Sequence, residues 1–156
     1  MANFKSPECQ PTTGYRPPIT PAEAGQICAV RGQATLPNTL AANDIVELVP
    51  LPPGCVPVDV IVDADDLDTN GTPTITLTAA VINAAGDDIV ANTEFFTAST
   101  VAQAGGVARM DKKTGPRIVS STSKRNVGLK VVAAAATKAA GVVGMTLFYR
   151  SRAYGE

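Results

Sequence analysis

The sequence predicts an all-β chain that folds as a β-sandwich of jelly-roll-like form, and three observations support this. Apolar side chains recur at every second position in several segments, as in residues 56–62 and 75–81, which is typical of strands whose two faces meet different surroundings. Turn signals separate about eight such strands at intervals of about 8 to 12 residues. The apolar residues are mainly Ala, Val, Ile and Leu, with no Trp, and small branched side chains suit closely stacked sheets.

The chain divides into an arm and one domain. At 156 residues it is long enough for a single core that buries roughly two-thirds of the surface of the unfolded chain. Residues 1–26 are rich in proline, which removes backbone donors, so we expect an extended N-terminal arm at 1–26 and a β-sandwich domain at 27–156. The arm is either a disordered tail or a segment that lies across a partner. In the second case its expected anchors are Phe4, Tyr15, Arg16 and Ile19.

Four strands are predicted in the first half of the sandwich. Residues 26–36 alternate weakly, which indicates an edge strand, and residues 44–51 alternate more strongly before a proline cluster ends the strand. Residues 56–62 and 75–81 are predicted to pair with each other as two antiparallel strands.

The following segment is less regular. Residues 88–91 are predicted to begin a short strand, and residues 92–96 to begin one or two helical turns with Asn92 as the cap. Two further segments, 107–110 and 117–120, are predicted to form a strand pair within a loop-rich region.

The C-terminal third is predicted to close the domain with a hairpin. Alternating apolar residues at 127–131 and 143–149 indicate two strands. The alanine-rich connection at 133–141 could be helical, but it is shorter than an isolated stable helix, so we expect a hairpin connection.

The Asp-rich connection between the central strands has two interpretations. It contains Asn70 and Gly71, which tolerate the positive φ angles of a tight turn that would reverse the chain. These residues also belong to a D-x-D-x-N-G run like that of an EF-hand, but Leu77 occupies the position where a bidentate Glu is required. A looser calcium site stays open beside a solvated turn whose carboxylates cap amides, and it would use Asp63, Asp65, Asp66 and Asp68.

Charge is divided along the chain. Residues 1–42 hold three basic and two acidic groups, residues 43–108 hold no basic and ten acidic groups, and residues 109–156 hold ten basic and two acidic groups. We expect the acidic middle to pair with the basic end, within the fold or between copies. Nucleic-acid binding is less favoured, because interleaved aromatics and helix-turn-helix or zinc motifs are missing. It would use Lys112, Lys113, Arg117, Lys124, Arg125 and Lys130.

Catalysis is not expected. The chain has no His, so the commonest general base is missing, and no glycine pattern for phosphates or dinucleotides occurs. We therefore expect no catalytic residue, no cofactor and no resident metal. Cys9, Cys28 and Cys55 form no CxxC pair and are predicted to be reduced structural thiols. No signal peptide or membrane-spanning stretch is apparent, which predicts a soluble chain made in the cytosol.

Five features follow one another between residues 33 and 150: a strand ending in Pro, a Gly-Cys corner, a DxDDLD turn, a Thr-rich strand, and a short segment before a glycine pair. They lie in ATLPNTLAANDIVELVPLPPGCVPVDVIVDADDLDTNGTPTITLTAAVI and ANTEFFTASTVAQAGGVARM. In these features the sequence resembles the head decoration, or cement, proteins of tailed bacteriophages, which are encoded beside the major capsid protein.

The resemblance implies a structural role in the virion. Synthesised in the host cytoplasm, the protein would bind the exterior of the assembled head, bridge neighbouring major capsid subunits and resist internal DNA pressure. It would also associate with itself as a homodimer or homotrimer. The alternative is a β-sandwich module that binds a receptor or a carbohydrate from a phage tail or surface structure. Such a module presents exposed aromatics, for which the sandwich offers Phe95, Phe96, Phe148 and few others.

Overall fold

The computed structural model describes residues 3–5 and 26–151, with side chains described for 26–151. Nine strands lie within these residues: β1 (Asn3–Lys5), β2 (Ile27–Leu36), β3 (Ile45–Leu51), β4 (Cys55–Ala64), β5 (Thr76–Ile82), β6 (Phe96–Ser99), β7 (Gly106–Arg109), β8 (Arg125–Ala133) and β9 (Gly141–Ser151). Two short 3-10 helices span Val101–Gln103 and Gly115–Arg117. In this part of the chain no helix has the length and apolar character needed to cross a membrane.

The strands form two sheets that pack face to face. One sheet has the order β1-β3-β8-β5-β6 and the other the order β2-β9-β4-β7. All pairings among β2 to β9 are antiparallel, whereas β1 pairs in parallel with β3 at an edge. The prediction of an all-β sandwich is therefore confirmed.

Strands β2 to β9 are connected as a jelly roll. β2 pairs with β9, β3 with β8, β4 with β7 and β5 with β6, so the pairs are nested like the two arms of one long hairpin. Successive pairs alternate between the two sheets, which wraps this hairpin around the core. The pairings of β4 with β9 and of β5 with β8 then complete each sheet.

The core lies between the sheets and follows the predicted alternation in most strands. Val127, Leu129 and Val131 of β8 are fully buried, and the inward residues of β9 pack opposite them. In β4 the register shifts between Pro57 and Asp59, so the inward set changes part-way along the strand. A bulge adds one residue to one strand and thereby moves the following side chains to the other face.

The two predicted hairpins are wrong as pairings, although their four strands are present. β4 and β5 lie in different sheets, and so do β8 and β9. An alternating strand buries its apolar face against the opposite sheet whether its successor lies beside it or across the core, so the pattern does not separate the two cases. The connections at 65–75 and 134–140 therefore cross between the sheets, and Gly71 lacks the positive φ of a tight turn.

Three local predictions are also corrected. Residues 88–91 contribute one isolated bridge, between Ile82 and Ile89, instead of a strand. Asn92 adopts a left-handed φ of 62° in a turn, which Asn tolerates as readily as a cap, and no helix starts there. β7 pairs with β4, while residues 117–120 form no strand.

Candidate interaction surfaces

The predicted anchors of the arm are divided between described and undescribed residues. Phe4 lies in β1, where its backbone is opposite Val46 of β3. Tyr15, Arg16 and Ile19 lie outside the described residues. The start of the arm is thus attached to the edge of the five-stranded sheet.

The carboxylates between β4 and β5 accept hydrogen bonds from separate donors. Asp65 accepts one from the amide of Val142 (2.8 Å) and Asp66 one from the amide of Asp68 (2.9 Å), while Asp63 binds a guanidinium described below. Within the part of the chain that the structure describes, no three His, Cys, Asp or Glu side chains are grouped to hold a metal ion. The geometry is that of capped backbone amides, and it offers no ligand cluster for the calcium alternative.

Asp68 is the buried member of this acidic group. Its carboxylate accepts hydrogen bonds from the amides of Thr74 (2.7 Å), Ile75 (3.2 Å), Ala136 (2.9 Å) and Thr137 (2.8 Å). Burial raises the pKa of Asp68, but the four amides outweigh it and hold that pKa well below its usual range. The carboxylate therefore ties together the two crossings, 65–75 and 134–140.

Ion pairs join parts of the chain that differ in charge. Arg109 donates to Asp59 (2.6 Å from Nε) and Lys130 to Asp88 (2.7 Å), so basic residues of the C-terminal segment pair with acidic residues of the middle segment. The hydrogen bond from Lys130 holds the pKa of Asp88 below its usual range. The expectation that the two segments pair within the fold is confirmed for these residues.

Among the six basic residues considered for nucleic acid, Arg125 and Lys130 are held by hydrogen bonds to other parts of the chain. Arg125 is half-buried and donates to the carbonyls of Val119 (2.8 Å) and Cys55 (3.1 Å), and Lys130 binds Asp88. The others lie exposed in the connection between β7 and β8. The six residues therefore do not form one uniform basic surface.

The described aromatic side chains mostly belong to the core. Phe95, Phe96 and Tyr149 are buried, and Phe148 is half-buried on the outside of β9. A row of exposed aromatics, which carbohydrate sites typically present, does not occur in residues 26–151.

The outer faces of the two sheets differ in exposure. On the five-stranded sheet, the strand register places Ile45, Ala80 and Ile82 on the side away from the sandwich core, and yet all three are buried. Glu47 and Thr78 on the same side are buried as well. This sheet is therefore covered on both faces around these residues, although Val132 of β8 is exposed, whereas the outer side of the four-stranded sheet is open along its length.

We call the outer side of the four-stranded sheet the exposed face. Ile27 of β2 is 59% exposed and Val107 of β7 is 70% exposed, and half-buried apolar residues of β4 and β9 lie between them. Its charged residues are largely paired within the chain. The exposed face consists of Ile27, Ala29, Arg31, Val56, Asp59, Ile61, Asp63, Val107, Arg109, Thr146, Phe148 and Arg150.

One ion pair lies flat across the exposed face. Arg31 of β2 binds both carboxylate oxygens of Asp63 in β4, at 2.7 and 2.9 Å, and so spans β9. A side chain at Gly144 of β9 would meet both groups within 3 Å, so the missing side chain makes room for this pair. Each partner stabilises the other's charged form: the pKa of Arg31 is raised and that of Asp63 is lowered.

A shallow groove of about 210 Å³ borders one end of the exposed face. Val56 and Arg150 belong to both the face and the groove, and the remaining wall is formed by residues 116–120. Val119 is 73% exposed beside the groove. Sequence reasoning missed these exposed apolar residues, because alternation shows that a strand has two faces but not which one another sheet covers.

Comparison with known proteins bears on the family. No protein-family model matches the chain, and no curated protein matches it. A chain in the capsid of Ralstonia phage GP4 is 40% identical, with a TM-score of 0.83, and the match covers 97% of this chain and 99% of that one. The chain belongs to a family of bacteriophage capsid proteins. A chain in the capsid asymmetric unit of cyanophage Pam1 is 32% identical, with a TM-score of 0.67, and the match covers 81% of this chain and 86% of that one.

Family membership gives this phage capsid protein a structural, capsid-associated role in the virion. Both similar chains are parts of phage capsids. The described residues present an open sheet face and, on the edge of the other sheet, the short N-terminal strand β1.

Proposed function

We propose that this capsid protein is a decoration protein. It binds the exterior of the assembled head, bridges neighbouring major capsid subunits and stabilises the shell against internal DNA pressure. Residues 1–26 form its contact arm, with Phe4, Tyr15, Arg16 and Ile19 as anchors.

The observation that carries this proposal is the attachment of the arm at both of its ends. β1 pairs with the edge of the five-stranded sheet, and β2 begins the four-stranded sheet at Ile27. The residues between them, 6–26, could span up to roughly 70 Å if fully extended, which is far more than a turn between two strands requires. A segment of this length, with few charges and with the anchors Tyr15, Arg16 and Ile19, suits contact with a neighbouring subunit.

Stabilisation follows from selective binding. A ligand that binds the assembled shell and not the free subunits stabilises the shell by mass action, by about 2.7 kcal/mol per site at a free concentration of 100 times the dissociation constant. The sandwich needs no catalytic group for this task. Many equivalent sites on one shell add their contributions.

The test is co-sedimentation of the purified protein with expanded, undecorated capsids. The variant combines Tyr15→Ala, Arg16→Ala and Ile19→Ala, because these changes leave β1 in place, whereas removal of residues 1–20 would also uncover the edge of β3. The matched control combines Gln10→Ala, Thr12→Ala and Thr13→Ala in the same arm.

Saturable binding of the unchanged protein at a fixed ratio to capsid subunits, weakened by the first variant and kept by the control, supports the proposal. Equal binding by both variants would refute the assignment of the anchors. No binding of the unchanged protein would refute the decoration role itself.

A further inference from the structure

We propose that the exposed face is a contact between two copies of this chain, packed sheet against sheet about a two-fold axis. This inference concerns the free protein in solution and does not depend on the capsid contact proposed above.

The first argument is the apolar surface that the exposed face leaves in water. Ile27 and Val107 are more than half exposed, and Val56, Ile61 and Phe148 lie half-buried between their strands. The other sheet buries its corresponding outward residues, Ile45 and Ala80, within the chain. A partner packed on the exposed face would bury its apolar residues, as Ile45 and Ala80 are buried on the outer side of the five-stranded sheet.

The second argument is charge. A two-fold contact brings each surface against a copy of itself, so a surface with excess charge of one sign would repel its partner. On the exposed face, Arg31 is paired with Asp63 and Arg109 with Asp59, so the central part carries no net charge. These pairs are formed within one chain and need no partner to neutralise them.

The third argument is the orientation that the ends of the face favour. Arg150 lies at one end, in the row of Ile27 and Val56, whereas Asp65, the residue that follows β4, lies just beyond the other end, beside Val142. An axis that runs in the interface across the strands places the Arg150 end of one copy over the Asp65 end of the other. We infer this antiparallel arrangement, because the parallel one would place the two Arg150 ends over each other.

The fourth argument is shape and size. Because Gly144 has no side chain, the Arg31–Asp63 pair lies flat on the sheet instead of projecting from it. Strands about 4.8 Å apart and nine β4–β9 pairs of about 3.4 Å each give a footprint of roughly 30 by 15 Å, and the accessible area of a corrugated sheet exceeds its footprint. The contact is thus smaller than the roughly 800 Å² per partner of a standard interface, so we expect a weak dimer that dissociates on dilution.

The experiment measures the mass of the free protein by sedimentation velocity at concentrations from about 1 to 100 µM. Two variants, Ile27→Asp and Val107→Asp, place a charge at opposite sides of the exposed face. The matched control is Val132→Asp, because Val132 is also an exposed strand valine, at 48%, but belongs to the other sheet. All three positions are open to water, so the monomer tolerates the change, which far-ultraviolet circular dichroism checks.

We expect a dimer whose dissociation constant rises roughly tenfold or more in each exposed-face variant and stays unchanged in Val132→Asp, since an unpaired charge would be buried in the contact. A monomer or a trimer in solution would overturn the two-fold contact. A dimer that both exposed-face variants leave intact, or that Val132→Asp disrupts equally, would overturn its location. Capsid binding can fail in the co-sedimentation test without affecting any of these results.

Discussion

Replacement of Gly128 by alanine is predicted to be one of the most destabilising single-methyl additions to the sandwich. Gly128 lies in β8, opposite Glu47 of β3, next to the point where the register of β3 shifts. A Cβ atom at this position would stand 2.1 Å from the carbonyl oxygen of Val46, which is 1.3 Å short of the 3.4 Å at which ordinary contact begins. The obstacle is backbone, so no side-chain rotation relieves it.

The expected cost follows from the surroundings of β3. All seven residues of this strand are buried, so the strand has little room to retreat from the added methyl group. Overpacking of a filled core typically costs about 1 to 3 kcal/mol, and we expect a value near the upper end. In a domain of this size each kcal/mol lowers the melting temperature by about 2 to 4 °C, so Gly128→Ala should lower it by about 6 to 12 °C.

The assay is thermal unfolding followed by circular dichroism at one fixed protein concentration, with Gly71→Ala as the control. Nothing lies within 4 Å of a Cβ at Gly71, and its φ is not positive, so alanine there should leave stability unchanged or raise it by up to about 1 kcal/mol. A melting temperature of Gly128→Ala within about 2 °C of the unchanged protein would show that β8 and β3 are not as close as described.

Three further predictions concern the acidic turn and the thiols. The pKa of Asp68 is lower in the folded than in the unfolded protein, so the stabilising effect of its carboxylate is complete above about pH 4 and is lost as the pH falls further. Asp68→Asn should therefore have a lower melting temperature than the unchanged protein at pH 7. Its melting temperature should also depend less on pH below about pH 4. A dependence as steep as that of the unchanged protein would argue against this role. Millimolar calcium should leave the melting temperature unchanged, and a rise that Asp66→Ala abolishes would restore the calcium interpretation. Burial raises the pKa of the Cys55 thiol, so mass spectrometry after maleimide labelling of the native protein should find Cys28 modified faster than Cys55.

The sequence predicts the fold class well because strand alternation reports burial on one face. Strands β2, β3, β4, β5, β8 and β9 all fall where the alternation places them. Alternation does not predict which strands pair. β2 and β9 pair although more than a hundred residues separate them, and no local sequence pattern indicates this pairing. The hairpin predictions fail for this reason, whereas the edge position of β2 follows correctly from its weak alternation.

The interaction surfaces are predicted less completely. Composition singles out the arm, and the charge division anticipates ion pairs such as Arg109 with Asp59. The exposed face could not be predicted, because Ile27 and Val107 become parts of one surface only when β2, β9, β4 and β7 lie side by side. The role of Asp68 also depends on folding, since the amides that hold its carboxylate come from two segments more than sixty residues apart.

The two proposed contacts are compatible in geometry and would reinforce each other. The arm enters the sandwich at Ile27, at the same end of the exposed face as Arg150. In the antiparallel dimer the two Ile27 residues lie at opposite ends of the contact, roughly 30 Å apart. Because residues 6–26 are attached at both ends, each loop could reach up to roughly 35 Å outward, about half its extended length, so one dimer could contact two separate capsid subunits on opposite sides. Binding of the first arm would then raise the effective concentration of the second, which is how a small sandwich with two modest contacts could bridge a seam tightly.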